Sequence, residues 1–392
     1  LAALTRSQFE LLRTGSFSSV RVAWDEVWTM DDSVHPLFPV PSCAVFGRKR
    51  ATSQALPDIV RAYSGYLPFR DAPESIADKR LTVAEGAPAL QVAEHRGGSS
   101  YRTAFRNGAT LFPRMLVFVE RRAMGRLGHD PSAPLVVSRR TRQEKEPWKA
   151  LPSIENRVEA EFLRSVLLGE SILPFRVFRP FEAVVPITAQ GEILDSTAAA
   201  NRGYDALFGW MRKAEATWNA NKRSEKMQLA QLFDYFGQLS AQIPVAPVRV
   251  VYAKAGSLPA ACIIRGGNLL VENLLYWAPV GTEAEALYLS AILNSETTRA
   301  RVEAMQSRGQ FGARHFDKVM FNLPIPRFDA REKLHLALAE AAVRAEKIAA
   351  AVELPEGVKF QRARGLIRAA LTDAGASQQI DGLVAQLIDT GS

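Results

Sequence analysis

The period of the hydrophobic pattern changes several times along the chain, and the changes separate strand-like from helix-like stretches. The most informative stretch is residues 287–328, LYLSAILNSETTRARVEAMQSRGQFGARHFDKVMFNLPIPRF. Thr282 and Glu285 form a T-x-x-E capping box, and Leu289, Ile292 and Leu293 supply one apolar helical face behind it. The pattern then breaks into the polar turn Ser307-Arg308-Gly309-Gln310-Phe311-Gly312-Ala313-Arg314. Its two glycines permit positive φ or close backbone approach, and Arg308, Gln310 and Arg314 project donors. The apolar run 319–325 predicts a short strand, stopped by Pro324 and Pro326. A second capping box, Asp329 and Glu332, opens a predicted long helix. Its Leu334, Leu338, Ala341, Ala345, Ile348 and Val352 follow a/d spacing, for under three heptads, which favours packing within the chain. Helices over 360–374 and 378–388 close the sequence.

Upstream, residues 7–13 predict a short helix and residues 20–24 and 41–47 two strands. From 51 to 188 the pattern is mainly strand-like, with turns at Ser64-Gly65, Gly97-Gly98 and Asn107-Gly108. The firmest strands are 110–122 and 133–140, joined by turn residues and so expected as an antiparallel pair. Residues 156–168 read as an amphipathic helix, and 175–187 as one or two strands interrupted by Pro180. Residues 201–238 are helical by periodicity and carry Tyr204, Phe208, Trp210, Trp218, Phe233, Tyr235 and Phe236. Aromatics at that spacing are expected in a core, with base stacking as the second reading. Runs at 249–253, 260–265 and 269–277 predict a three-stranded meander. The expected class is α/β (α+β), with mixed, largely antiparallel strands, packed helices and a C-terminal helical segment.

Composition adds little except in one place. The 392 residues are 47% hydrophobic and 23% charged, as in an ordinary globular protein with room for two or three domains. No apolar run approaches the roughly 18 residues that would span a membrane, so no membrane partner is expected. Cys43 and Cys262 lie far apart in strand-like contexts and read as buried free thiols of a reducing, cytoplasmic compartment. The net charge is +8, and residues 96–150 hold 12 Lys/Arg against 4 Asp/Glu, so this segment carries the whole excess. Its most basic part includes Arg139, Arg140, Arg142, Lys145 and Lys149 together with Trp148. Such clusters hold phosphates, and an Arg can pair two hydrogen bonds with a purine edge. A charged hairpin edge that deters aggregation is the alternative. Lys222, Arg223 and Lys226 form a smaller cluster, read as a solvated helix face.

The sequence holds none of several catalytic constellations. It has no Pro-Pro dipeptide, no strand followed by a G-x-G loop, and no acidic residue followed two places later by lysine. His35, His95, His129, His315 and His335 never fall three or four apart, and G-x-S-x-G and the G-x-x-x-x-G-K-[ST] phosphate loop are absent. No catalytic residue, metal or cofactor is therefore assigned to this chain.

The order helix, Gly/Arg loop, strand and long helix, with AILNS before the loop and LPIP after it, resembles the end of a target-recognition domain. Such domains occur in specificity subunits of type I restriction systems and in the C-terminal half of large adenine-specific methyltransferases of restriction-modification and phage-defence systems. SIENRVEAEFLRSVLLGESILPFR (153–176) and IDGLVAQL (380–387) are similar to the single-chain methyltransferase type. The start, LTRSQFELLRTGSF…HPLFPVPSCAVFGR, resembles the close of a methyltransferase catalytic domain, so the chain is expected to be a piece of a longer protein. The resemblance implies residues 1–50 as the tail of that domain, 51–190 as a strand-rich DNA-facing module, 191–330 as the α/β target-recognition domain and 331–392 as a helical segment. It implies double-stranded DNA and an N-terminal catalytic domain as partners, with S-adenosylmethionine held by the parent enzyme. Expected DNA contacts are Arg139, Arg140, Arg142, Lys145, Trp148 and Lys149 on one loop, and Arg308, Gln310 and Arg314 on the other. The alternative is a structural or protein-interaction fragment whose basic patch has no DNA role.

Overall fold

A computed structural model describes residues 10–17, 19–30, 34, 42–88, 98–123, 130–141, 144–222, 227–256, 258–303, 308–309, 312–313, 316 and 318–390. The chain forms two compact units. It is of the α/β class, with mixed, mostly antiparallel sheets and a C-terminal run of helices. No described helix is long and apolar enough to cross a membrane.

The first unit comprises Leu1–Gly98, Gly256–Leu258 and Arg299–Pro324. Strand Val20–Met30 pairs antiparallel with Ser42–Lys49 and parallel with Ile59–Gly65, which pairs antiparallel with Leu81–Pro88. Both predicted strands of this region are present and longer than expected. Trp28 is central on one face, its ring 4.7 Å from Phe46 and 5.4 Å from Tyr63. Gly15 adopts φ +68 where a Cβ would fall 2.1 Å from the Val22 carbonyl oxygen, so only glycine closes this turn. Cys43 is half-buried here rather than buried. The expected strand at 319–325 is instead a 3-10 turn, Val319–Asn322, which buries the consecutive Met320 and Phe321. A half-buried strand would have alternated them.

The second unit comprises Ser99–Ala255, Pro259–Thr298 and Ile325–Ser392. Strands run in the order Ala261–Arg265, Val248–Ala253, Leu275–Pro279 and Arg106–Asn107, all antiparallel. The third strand of the expected meander is split: Leu269–Val271 leaves to pair parallel with Leu163–Leu167, which also pairs antiparallel with Phe181–Val184. A third sheet joins Val119–Arg121, Leu135–Ser138 and Glu155–Arg157. The expected antiparallel pair is therefore formed. Only 119–121 of the run 110–122 is strand, because Pro113 and a 3-10 turn over Arg114–Leu116 precede it.

The predicted helix at 156–168 is absent. Its residues divide between strands Glu155–Arg157 and Leu163–Leu167, linked by a single 3-10 turn. Partners on both sides of Leu163–Leu167 supply ladder bonds that no local period could forecast. Glu159, at the break, accepts the Ala206 and Leu207 amides at 2.9 and 2.7 Å and so caps helix Asp205–Asn221 from outside it.

Residues 283–294 form the expected helix, Glu283–Asn294, with Thr282 accepting the Glu285 amide at 3.1 Å. AILNS owes its last two residues to clamping. The Asn294 side chain accepts the Ala261 amide and donates to the Ala261 carbonyl, both at 2.9 Å, fixing the helix to the sheet edge. Ser295 Oγ donates to Asp381 at 2.6 Å, and Asp381 also accepts the Glu296 and Thr297 amides, so IDGL is tied to AILNS. From LPIP, the Pro326 carbonyl accepts the Tyr288 hydroxyl at 3.0 Å. The second expected capping box does not form, because Asp329 is bound by Arg331 instead. Helix Lys333–Ala351 still forms. It packs through a broader small-residue stripe than an a/d seam, including Ala339, Ala342 and Ala349. Cys262 is fully buried, which pushes its thiol up to about 12.

One buried group opposes the fold. Arg249 is 0% exposed, and no guanidinium nitrogen meets an acceptor among the described residues. Burial depresses it to about 10. Two substitutions are therefore expected to act in opposite directions. Asn294→Ala strands the buried Ala261 amide, while the Ala261 carbonyl still accepts the Phe175 amide; it costs about 1–3 kcal/mol, whereas Arg249→Met removes unsatisfied donors and raises stability by about 1–3 kcal/mol. Urea denaturation midpoints read both; a destabilised Arg249→Met would show that the guanidinium is satisfied.

Candidate nucleic-acid interface

The basic stretch leaves the end of strand Leu135–Ser138 and returns through the 3-10 turn Trp148–Ala150. Arg140 closes this loop from inside. Its guanidinium donates to the Leu151 carbonyl at 2.7 Å, the Trp148 carbonyl at 2.9 Å and the Lys149 carbonyl at 3.0 Å, while Nε meets Glu144 at 2.9 Å. Arg139 lies 4.1 Å above the Phe181 ring, with Nε 3.3 Å from Glu120. Arg121 forks onto Glu182, and Arg122 pairs with Glu155. Much of the local positive excess is therefore spent within the fold.

The expected contacts separate accordingly. Trp148 is 8% exposed and stacks on Trp218 at 5.8 Å and 11°, so its aromatic character serves packing. Arg140 is a staple. Lys145 and Lys149 are exposed and form no ion pair among the described residues. The staple holds the backbone that carries them, with the Lys149 amide bonded to the Lys145 carbonyl at 3.2 Å. Arg142 lies outside the described residues.

The Trp148–Trp218 stack also joins stretches that the sequence keeps apart. Trp218 is in the last turn of helix Asp205–Asn221, followed directly by Lys222 of the smaller basic cluster. Arg223 and Lys226 lie outside the described residues. Phe112 packs edge-on to Trp148 at 6.4 Å and stays 50% exposed. Thr110 Oγ1 lies 3.4 Å from Gln238 Oε1, linking Phe112's segment to the turn that carries Tyr235 and Phe236. The core reading holds for Trp210 and Phe233, at 0% and 1% exposed, but fails for Tyr235 and Phe236, at 40% and 82%. The signal available was Gly237 directly after them, where φ is +67 and the helix has already ended.

The second loop belongs to the first unit. Arg308–Gly309 pairs antiparallel with Gly312–Ala313. Gln310 and Arg314 lie outside the described residues. Elsewhere in the second unit an open cavity of about 440 Å³ is lined by Ala160, Glu161, Leu163, Arg164, Ser165, Asn268 and Leu269. Its lining holds no His or Cys and no paired carboxylates.

No family model matches the sequence, and no curated protein does. Among solved structures, the chain is similar to the type IIL restriction-modification enzyme MmeI, solved in complex with DNA. The TM-score is 0.50 at 12% identity, over 95% of this chain and 43% of that one. At that identity the likeness is one of fold alone. The type IIG restriction endonuclease BpuSI also matches, at 13% identity over 100% of this chain and 47% of that one, but its TM-score of 0.32 carries no argument. The chain thus spans less than half the length of either structure.

Arg140→Ala is expected to cost about 1–3 kcal/mol, and Arg140→Lys not to restore it, because a point charge cannot fork across three carbonyls. Lys145→Ala and Lys149→Ala should stay within about 0.5 kcal/mol of the parent. Thermal or urea unfolding separates the two classes; equal effects would contradict the division into staple and free cations.

Proposed function

We propose that the chain is the DNA-binding, target-recognition portion of a site-specific adenine DNA methyltransferase of a restriction-modification or phage-defence system. The observation that carries this reading is the Arg140 staple. It spends one cation internally and leaves Lys145 and Lys149 facing solvent beside a partly exposed aromatic, on a fold shared with a restriction-modification enzyme. Cations and exposed rings side by side suit a polymer of phosphates and flat bases.

In this reading Lys145 and Lys149 neutralise phosphates, with Arg139 partly engaged by Glu120 and Phe181. Arg142, and Arg308, Gln310 and Arg314 of the Gly/Arg loop, supply further phosphate or base contacts. S-adenosylmethionine and the groups that act on the flipped adenine belong to a catalytic domain outside this chain. A structural or protein-interaction role is the second reading. The self-pairing of Arg121, Arg122 and Arg140 favours it, because it discharges part of the basic patch.

Fluorescence anisotropy with labelled random-sequence duplex, titrated from low to physiological salt, tests the proposal. Binding should weaken log-linearly with salt, and Lys145→Ala with Lys149→Ala should remove about 1.8 units of slope, at about 0.9 per phosphate. Absence of binding even at low salt would favour the structural role. An unchanged slope in the double variant would remove these two lysines from the interface.

A further inference from the structure

Phe236 is the most exposed large aromatic of the described residues, and it sits on strained backbone. Its φ and ψ are 56° and 26°, the left-handed region that a bulky side chain rarely occupies. The turn carrying it is firmly built. Asp234 Oδ1 accepts the Leu239 and Ser240 amides at 2.9 and 2.8 Å and the Ser240 hydroxyl at 3.1 Å. Gln242 donates to the Gln238 carbonyl at 3.1 Å and exchanges hydrogen bonds with both backbone groups of Val271, at 2.9 and 2.8 Å. Phe233 and Leu239 on either side are buried. The loop is therefore pinned at its base while its tip holds Phe236 out, backed by Tyr235 with ring centroids 4.2 Å apart.

Neither the strain nor the exposed ring is repaid by packing within the chain, where Phe236 remains 82% exposed. Such an arrangement calls for a flat, apolar surface that arrives from outside. The nearest described links lead to the cationic loop: Gln238 to Thr110, then Phe112 to Trp148 beside Lys149. Cations that meet a phosphate backbone and a rigid ring that meets base faces are complementary to one ligand, duplex DNA opened at a step.

We propose that Phe236, supported by Tyr235, is a wedge that enters a base step of the bound duplex and stacks on the face it exposes. This rests on the DNA-binding reading above and adds to it a deformation of the DNA. Unstacking costs less where the stack is already broken, so a wedge prefers a duplex with a ready-made gap.

The test compares two labelled duplexes of the same random sequence, one intact and one with a single central abasic site, by anisotropy with the full chain. The parent should bind the abasic duplex about ten-fold more tightly, Phe236→Trp should keep the preference, and Phe236→Ala should bind both duplexes alike. Phe236→Gly should also lose the preference while raising the Tm, since glycine relieves the positive φ; this separates a lost wedge from a damaged fold. Equal binding of both duplexes by the parent, or a preference that survives Phe236→Ala, would overturn the wedge while leaving DNA binding intact. Failure of the parent to bind either duplex would remove the DNA-binding reading itself.

Discussion

The second unit depends on one desolvated amide. Asn294, 8% exposed, pairs with both backbone groups of Ala261 on the outer strand of the four-stranded sheet. Hydrogen bonds in such a place contribute modestly when made and cost heavily when one partner is lost. The amide therefore specifies where helix Glu283–Asn294 sits more than it adds net stability. Ser295 follows directly and hands the position on to Asp381 in the last helix. From the other end of the same helix, Glu285 accepts the Tyr101 hydroxyl at 2.8 Å, and that hydroxyl accepts the Phe328 amide at 3.0 Å. The sheet, the start of the unit and the C-terminal helices are thus registered against one helix.

A comparable economy governs the candidate interface. Arg140 is half-buried and satisfied by carbonyls of its own loop, so it fixes backbone, while its neighbours Lys145 and Lys149 are exposed. The two tryptophans act similarly: stacked on one another, they bring the loop after Ser138 against the end of helix Asp205–Asn221. Exposure is left to Phe112, Tyr235 and Phe236. Residues of the same type are thus divided between holding the surface in shape and being presented on it.

How much of this the sequence revealed follows from how local each signal is. The helices after residue 282 were legible because their apolar periods lie within a few residues, although of the two expected capping boxes only the Thr282 cap forms. The antiparallel pair Val119–Arg121 and Leu135–Ser138 was legible from alternation and intervening turn residues. The false helix at 156–168 arose because its strand character comes from Phe181–Val184 and Leu269–Val271, distant partners that leave no local trace. In the basic stretch, charge was visible but its use was not. Whether an arginine forks onto carbonyls or faces solvent depends on chain closure at Leu151, and the core role of Trp148 on Trp218 seventy residues away. Tyr235 and Phe236 shared a helical period with buried aromatics, and only the break at Asp234 and Gly237 sets them apart.

The most direct measurement of the central claim is covalent lysine footprinting by mass spectrometry, with and without a saturating duplex. Lys145 and Lys149 should lose reactivity as DNA is added. Lys213, whose ammonium donates to the Glu155 carbonyl at 2.7 Å, should change little and serve as internal reference. Lys145 and Lys149 remaining fully reactive on a chain saturated with DNA would contradict the account and place the interface elsewhere.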